Sequence, residues 1–242
     1  MIAQEQLKQY VLDNTIIPVK FCDHKLIVDG RAVLFWPAHD LLVFSDLHFE
    51  KGSFLSQFAH PLPRFDTRET IKRMEHLISI YQPSVVICLG DSFHDGNAGS
   101  RLESDDIAAI NDMVRSVTKW IWVLGNHDPD IPESLLGKRQ HHCIFSGVLF
   151  VHEPEEISTF KAMNGEFCDS QIVGHYHPKT SYKLSHKKLT DKSFIVGEDL
   201  LLMPAFGKYT GGLNSNSEVI KSLFDGKKMQ ILLTYHTKLF ML

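Results

Sequence analysis

The sequence predicts an α/β fold that carries two β-sheets, on three observations. Residues 41–124 alternate apolar strand-like runs with amphipathic helical stretches, the β-α-β-α-β rhythm of a parallel sheet. Beyond residue 143 the pattern becomes strand-rich. No Gly/Ser/Pro-rich linker, charge block, repeat or low-complexity tract divides the 242 residues, so one domain over 1–242 is expected. The composition is 43% hydrophobic and 22% charged, the balance of a soluble globular chain, and it excludes disorder as the main state.

Taken in order, residues 4–13 read as a short amphipathic helix. Leu26–Val28 and Ala32–Trp36 flank Asp29-Gly30 and read as a hairpin, with that dipeptide accepting the positive φ of a tight turn. Leu41–Phe44 is a buried strand running into Ser45-Asp46-Leu47-His48. Asp66-Thr67-Arg68-Glu69 fits a capping box that opens a helix to about Tyr81, with Ile71, Met74, Leu77 and Ile78 inward. Ser84–Leu89 is a second buried strand and ends at Gly90-Asp91. Residues 103–118 are helical, with Ile107, Ile110, Val114 and Val117 on one face. Trp120–Leu124 is a third strand and ends at Gly125-Asn126-His127-Asp128. Residues 143–151 alternate through Phe145, Val148, Phe150 and Val151 and reach His152. Gln171–Val173 leads into Gly174-His175-Tyr176-His177. Further strands fall near 193–196, 199–205 and 229–235, with a short helix around 216–224.

Several function classes fall away at once. No window approaches 18 consecutive apolar residues, so no transmembrane helix and no membrane partner are expected. Met1–Gln6 lacks a basic segment followed by an apolar one, which makes the cytoplasm the expected location. A net charge of −4 excludes a globally basic nucleic-acid binder and leaves room for a local basic groove. Cys22, Cys88, Cys143 and Cys168 form no Cys-x-x-Cys pair, which argues against a thiolate zinc site and a disulfide framework.

What remains is the placement of the histidines, of which there are 14. The apolar runs end in Asp46/His48, Asp91, Asn126/His127, His152 and His175/His177. Sites in open α/β sheets are built at the carboxyl ends of strands. Carboxylate, amide and imidazole groups suit divalent manganese, iron or zinc. Each cluster alone also reads as a turn or a helix cap. All of them together, each at a strand end, supply enough ligands for two ions sharing a bridging carboxylate.

The order Asp46-x-His48, Gly90-Asp91, Gly125-Asn126-His127-Asp128, His152, Gly174-His175-x-His177 resembles the calcineurin-like metallophosphoesterases over about residues 41–206. The resemblance implies a two-sheet β-sandwich flanked by helices (αββα). It implies two divalent ions as cofactors, manganese first and iron or zinc as alternatives. Asp46, His48, Asp91 and His177 would hold one ion, and Asp91, Asn126, His152 and His175 the other. His127 would contact the scissile phosphate or its leaving oxygen, with Asp128 orienting its imidazole. A metal-bridging hydroxide would attack phosphorus in line. Many relatives carry a second acidic residue three positions after the Asp of Gly-Asp; here that position is His94, followed by Asp95, and His94 is a candidate to line the cleft.

A narrower likeness lies in Asp46-Leu47-His48-Phe49-Glu50-Lys51-Gly52, Phe65-Asp66-Thr67-Arg68, Leu89–Asp95 and Pro204–Gly207 with Gly211–Asn214. These segments resemble the bacterial ligase-associated DNA-damage-response metallophosphoesterases. That branch implies a DNA endonuclease of repair, with a DNA ligase, an exonuclease and a helicase as partners. Lys51, Arg64, His94 and Tyr209 are the candidate substrate contacts: Lys51 and Arg64 toward a phosphate, Tyr209 toward a base. Gly207–Gly212 offers backbone N–H groups to an anion. Lys183, His186, Lys187 and Lys188 read as a solvated hairpin face. The expected function is thus a dinuclear phosphodiesterase acting on DNA. The alternatives are a phosphodiesterase of small cyclic nucleotides and a non-catalytic scaffold of the same fold.

Overall fold

The computed structural model of the protein describes residues 2–55, 66–184 and 187–242. Arg64, Phe65 and His186 lie outside the described residues. Helix α1 (Gln4–Leu12) precedes strands β1 (Ile16–Phe21), β2 (His24–Asp29), β3 (Val33–Trp36) and β4 (Leu41–Ser45). Helices α2 (Lys51–Leu55) and α3 (Asp66–Tyr81), strand β5 (Val85–Leu89), helix α4 (Ser104–Arg115) and strand β6 (Lys119–Val123) follow. Then come β7 (Lys138–Gln140), β8 (His142–Phe145), β9 (Val148–Val151), α5 (Ile157–Asn164) and β10 (Ser170–Val173). The chain closes with β11 (Lys179–Leu184), β12 (Lys187–Val196), β13 (Leu200–Leu202), α6 (Glu218–Ser222), β14 (Gln230–Tyr235) and β15 (Lys238–Met241).

Among the described residues the strands form two sheets, ordered β1-β2-β3-β4-β5-β6-β7 and β15-β14-β12-β13-β10-β9-β8, with β11 paired to β12 outside that path. In the first sheet β4, β5, β6 and β7 are parallel. In the second, β9, β10 and β13 are parallel. Strands β4, β9, β10 and β13 are buried along their whole length and β5 and β6 after their first residue, while the charged β7 lies partly exposed at the sheet edge.

Three hydrophobic clusters account for the layers. One joins Trp36, Val43, Ile87 and Ile121 of the first sheet to Phe150, Ile172, Phe194 and Leu232 of the second, and is the filling of the sandwich. Another packs Ile71, Met74, Leu77 and Ile78 of α3, with Ile110 and Val114 of α4, on the outer face of the first sheet. The third seats Phe160 of α5 and Ile220 of α6 on the outer face of the second. The αββα arrangement is therefore present.

The local differences from the sequence reading have simple causes. Residues 142–151 are a hairpin, because Ser146 (φ 46°) and Gly147 (φ 81°) turn the chain where the alternation ran straight through. In the β2–β3 turn the positive φ belongs to Ala32 (67°) and not to Gly30. Gly30 is needed for space, since a Cβ there would lie 2.3 Å from the carbonyl oxygen of Thr237. The Asp66 carboxylate accepts the backbone N–H of Gly52 at 2.8 Å, tying α2 to the start of α3.

Candidate metal centre

The parallel pairing of β4 and β5 continues past the strand ends. The N–H of His48 donates to the Asp91 carbonyl (3.0 Å), that of Phe49 to Ser92 (2.8 Å) and that of His94 to Phe49 (3.1 Å). From the second sheet, the N–H of Gly174 reaches the His152 carbonyl (3.2 Å). After β13 the chain crosses to the first sheet, where Phe206 and Gly207 donate to the carbonyls of Ser45 (2.7 Å) and Asp46 (3.0 Å). The ends of β4, β5, β6, β9 and β10 are thereby locked into one edge of the sandwich.

Glycine makes that convergence possible. A Cβ on Gly90 would sit 2.0 Å from His152 Nδ1, one on Gly125 2.3 Å from Asp91 Oδ1, and one on Gly174 2.5 Å from Asp46 Oδ2. In each case the residue before a site side chain yields its space to a site side chain from another strand. The backbone is also held in the left-handed region at Asp46 (φ 50°), His48 (48°), Asp91 (43°), His175 (63°) and His177 (45°). Such conformations cost non-glycine residues about 1–3 kcal/mol each and persist where the surroundings over-determine them, commonly at functional sites.

The side chains meet at ligand spacing. His177 Nε2 lies 3.0 Å from Asp46 Oδ1 and 3.2 Å from His48 Nε2. His152 Nε2 lies 3.4 Å from Asp91 Oδ2, 2.9 Å from Asn126 Oδ1 and 3.3 Å from His175 Nδ1. Three groups of donor atoms fall within 4.8 Å of one another: Asp46/His48/His177, Asp46/Asp91/His152 and His152/Glu153/His175. Donors about 2.0–2.2 Å from a common cation stand roughly 3–3.5 Å apart. The separations match, the O/N donor set suits a borderline divalent ion, and among the described residues His48 Nδ1 is buried without a hydrogen-bond partner. The residues therefore fit divalent metal.

Electrostatics point the same way. Burial pushes the Asp46 carboxyl up, but His177, His152 and His48 outweigh it and hold the group at about 2. Burial also opposes ionisation of Asp91, and the contact with His152 and the N–H of His127 (2.9 Å) overcome it. Burial lowers His152, yet Asp91 and Asp46 carry it to about 9. Two ionised carboxylates in a buried site thus recruit a proton on His152 as counter-charge, and a bound cation supplies that charge more strongly.

All the sequence-predicted ligands, Asp46, His48, Asp91, Asn126, His152, His175 and His177, come together here. His127 stands at the edge of the cluster, its Nε2 4.0 Å from Asp91 Oδ2 and its side chain 47% exposed, so it is open to an incoming group. The His94 ring stacks on it (centroids 5.7 Å, planes 18° apart) and meets His48 edge-on at 5.8 Å, which puts His94 in the cleft wall. Burial lowers His94 to about 4, with Lys51 and His127 adding to the effect. Asp95, beside it, is engaged by Arg101, whose Nε also reaches Ser53 Oγ at 3.1 Å.

Asp128 departs from its expected role. Its carboxylate is fully buried and accepts the N–H groups of Gly125 (3.0 Å) and Phe93 (3.1 Å), bracing the β5 and β6 loops, and is not bonded to the His127 imidazole. The buried loop N–H groups needed an acceptor, and Asp128 is turned inward to provide it. Burial and the nearby Asp91 raise it to about 7.

Lys51 opens α2, is half-buried, and its charge is felt by Asp91, Lys179, His48 and His94. Tyr209 lies in the loop beyond Gly207, 47% exposed. Sequence reasoning missed two neighbours of the ligands. Ser45 hydrogen-bonds the Asp46 carboxylate. Glu153 Oε1 is 3.7 Å from His175 Nδ1, and its signal was its place directly after His152.

Residues 39–167 match the calcineurin-like phosphoesterase family. No curated protein matches the sequence. Among solved structures, the Pseudomonas putida nuclease MPE is similar at 22% identity with a TM-score of 0.72, covering 94% of this chain and 100% of that one. Yfce, a phosphoesterase from E. coli, is similar at 10% identity with a TM-score of 0.39, covering 84% of this chain and 97% of that one. The first of these likenesses shows the shared fold across nearly the whole chain.

Proposed function

The chain belongs to the calcineurin-like phosphoesterase family, and from that premise we propose that it is a dinuclear metal-dependent phosphodiesterase whose substrate is DNA. The observation that carries the reading is the convergence of Asp46, His48, Asp91, Asn126, His152, His175 and His177 from both sheets on one edge of the sandwich. The donor groups divide into one around Asp46, His48 and His177 and one around His152 and His175, with Asp91 between them. We assign the first to one ion, the second with Asn126 to the other, and Asp91 as the bridge. When bound, such a pair activates water and neutralises charge on a phosphoryl group.

The remaining work falls to the chain. His127, at the open edge and next to Asp91, donates its proton to the leaving oxygen or stabilises the charge growing on it. Its backbone N–H holds Asp91 Oδ1, so the same residue positions the bridge. His94 stacked on the imidazole limits its rotation. Lys51 faces the cluster and meets a non-bridging phosphate oxygen. Asp128 acts indirectly, by fixing the Gly125 and Phe93 backbone on either side of the bridge.

The DNA reading is supported by the motifs shared with the ligase-associated branch and by the name of the similar P. putida protein, a nuclease. With a net charge of −4, tight sequence-independent binding of duplex is disfavoured. A single strand bends its phosphate into the cleft more easily. We expect metal-dependent hydrolysis of an aryl phosphodiester, salt-sensitive cutting of single-stranded DNA and weaker cutting of duplex. A screen of an aryl diester, cyclic nucleotides and both DNA forms with added manganese, iron or zinc tests this. Turnover of a cyclic nucleotide far faster than any DNA would replace the substrate assignment, and no turnover of any diester would refute the activity.

A further inference from the structure

A second charged site lies on the far side of the 206–212 loop. A pocket of ≈ 400 Å³ is lined by Arg73 from α3, Lys179 from β11, Lys192 from β12, and Gly207, Lys208 and Tyr209 from the loop. Lys208 is paired with Glu69. The other three cations are half-buried and make no salt bridge among the described residues. They are held by carbonyl oxygens: Arg73 Nη1 donates to Phe206 (3.0 Å), Lys192 Nζ to Phe206 (3.3 Å) and Gly207 (2.9 Å), and Lys179 Nζ to Thr210 (2.8 Å). Asp191 also lines the pocket, but its Oδ1 accepts the backbone N–H of Lys192 at 2.7 Å. Four cations thus stand against two carboxylates, Asp191 and the Glu69 that is paired with Lys208 and also acts on Arg73, around a space large enough for a ligand.

Concentrating positive charge away from water is costly unless an anion completes it. The strain is visible at Lys192, where burial, helped by Arg73 and Lys179, pulls the ammonium down to about 7. The Arg73 guanidinium stacks over the Phe206 ring at 4.0 Å, which fixes its fork. The loop between this pocket and the metal centre is thin. The residue whose carbonyl holds Lys192 is the one whose N–H holds Asp46. On the other side, a Cβ on Gly212 would lie 2.1 Å from the His177 carbonyl oxygen, two residues before Lys179. Lys51 and Lys179 are close enough to repel each other, so positive charge runs from the cleft at Asp91 to the pocket.

We propose that Arg73, Lys179 and Lys192 form a second anion site, which takes a phosphate of the polynucleotide chain flanking the scissile phosphate at the metal centre. The site rests on the phosphodiesterase reading for its ligand's being a polynucleotide. Tyr209, on the rim with a left-handed backbone (φ 56°), presents its ring beside the path of that strand.

The test is binding of a fluorescently labelled single-stranded 12-mer to the manganese-loaded full chain carrying His127→Ala, followed by anisotropy across salt concentrations. Adding Lys192→Gln is expected to weaken binding at least fivefold and to reduce the slope of log Kd against log salt by about 0.7, one phosphate contact on a single strand. Lys192→Arg is expected to restore both. Arg73→Gln gives the same result by an independent change, and thermal melting shows that each variant folds. Unchanged affinity and slope in both folded Gln variants would overturn the proposal, as would failure of the parent to bind the oligonucleotide. Wild-type cleavage is read separately. Binding that depends on Lys192 without cleavage by the wild type would refute the nuclease reading and leave the anion site standing.

Discussion

The two sides of the 206–212 loop carry opposite charge built in opposite ways. On one side, Asp46 and Asp91 are buried and ionised among imidazoles, and the centre is short of positive charge. On the other, Arg73, Lys179 and Lys192 crowd a pocket held by carbonyl oxygens, and it is short of negative charge. The metal centre is assembled from strand ends, glycine contacts and left-handed backbone, so its geometry is fixed before anything binds. The cationic pocket is assembled from long side chains, whose stems adapt. A rigid site suits chemistry at one phosphorus atom, and an adaptable one suits holding a flexible strand.

The largest effects should come from breaking the acidic side. His175→Ala should lose metal and activity together, because it removes a donor next to His152. His127→Ala should lower kcat by roughly two to four decades while metal content, measured by elemental analysis, stays near that of the wild type. If His127→Ala empties the site, its role is that of a ligand and the assignment falls.

A smaller effect tests the glycine packing. Gly125→Ala places a methyl 2.3 Å from both the backbone nitrogen and Oδ1 of Asp91. Overpacking of this kind costs about 1–3 kcal/mol, read as a lower midpoint in urea unfolding, and metal affinity should fall with it. Gly96→Ala, where nothing lies within 4 Å of the added Cβ, is the control and should leave metal affinity unchanged.

The smallest effect sharpens the cationic side. Lys192 sits at about 7 when folded against an ordinary 10.5, so between those values the unfolded chain binds the extra proton. Its share of stability is therefore present above pH 10.5 and is lost as pH falls through about 7. The charged groups acting on it are Arg73 from α3, Lys179 from β11, Asp191 from β12 and Asp46 just after β4. Lys192→Met should flatten the rise in unfolding free energy between pH 7 and 10 measured with urea. An unchanged slope would mean that Lys192 is not under the strain described.

This contrast also explains what could be read in the sequence. The candidate metal centre was legible as a constellation because its Asp, Asn and His stand at the ends of apolar strands, and those strands announce themselves by composition. The cationic pocket was not, since residues 73, 179 and 192 are far apart and each reads alone as solvated surface charge. Strands β1 and β7 escaped notice because Pro18, Lys20 and the charged run at 138–140 interrupt the apolar pattern. Helix α2 is five residues long and contains Gly52, too short for a periodic signal. Asp128 was assigned to the imidazole beside it in sequence, whereas the unpaired N–H groups of Gly125 and Phe93 claim it in space.

The central claim, a pair of divalent ions bridged by Asp91, is tested most directly by anomalous diffraction from crystals of the manganese-loaded protein. Two peaks about 4 Å apart are expected, one beside Asp46, His48 and His177 and the other beside Asn126, His152 and His175, with Asp91 between them. A single peak, or none in contact with Asp91, would contradict it.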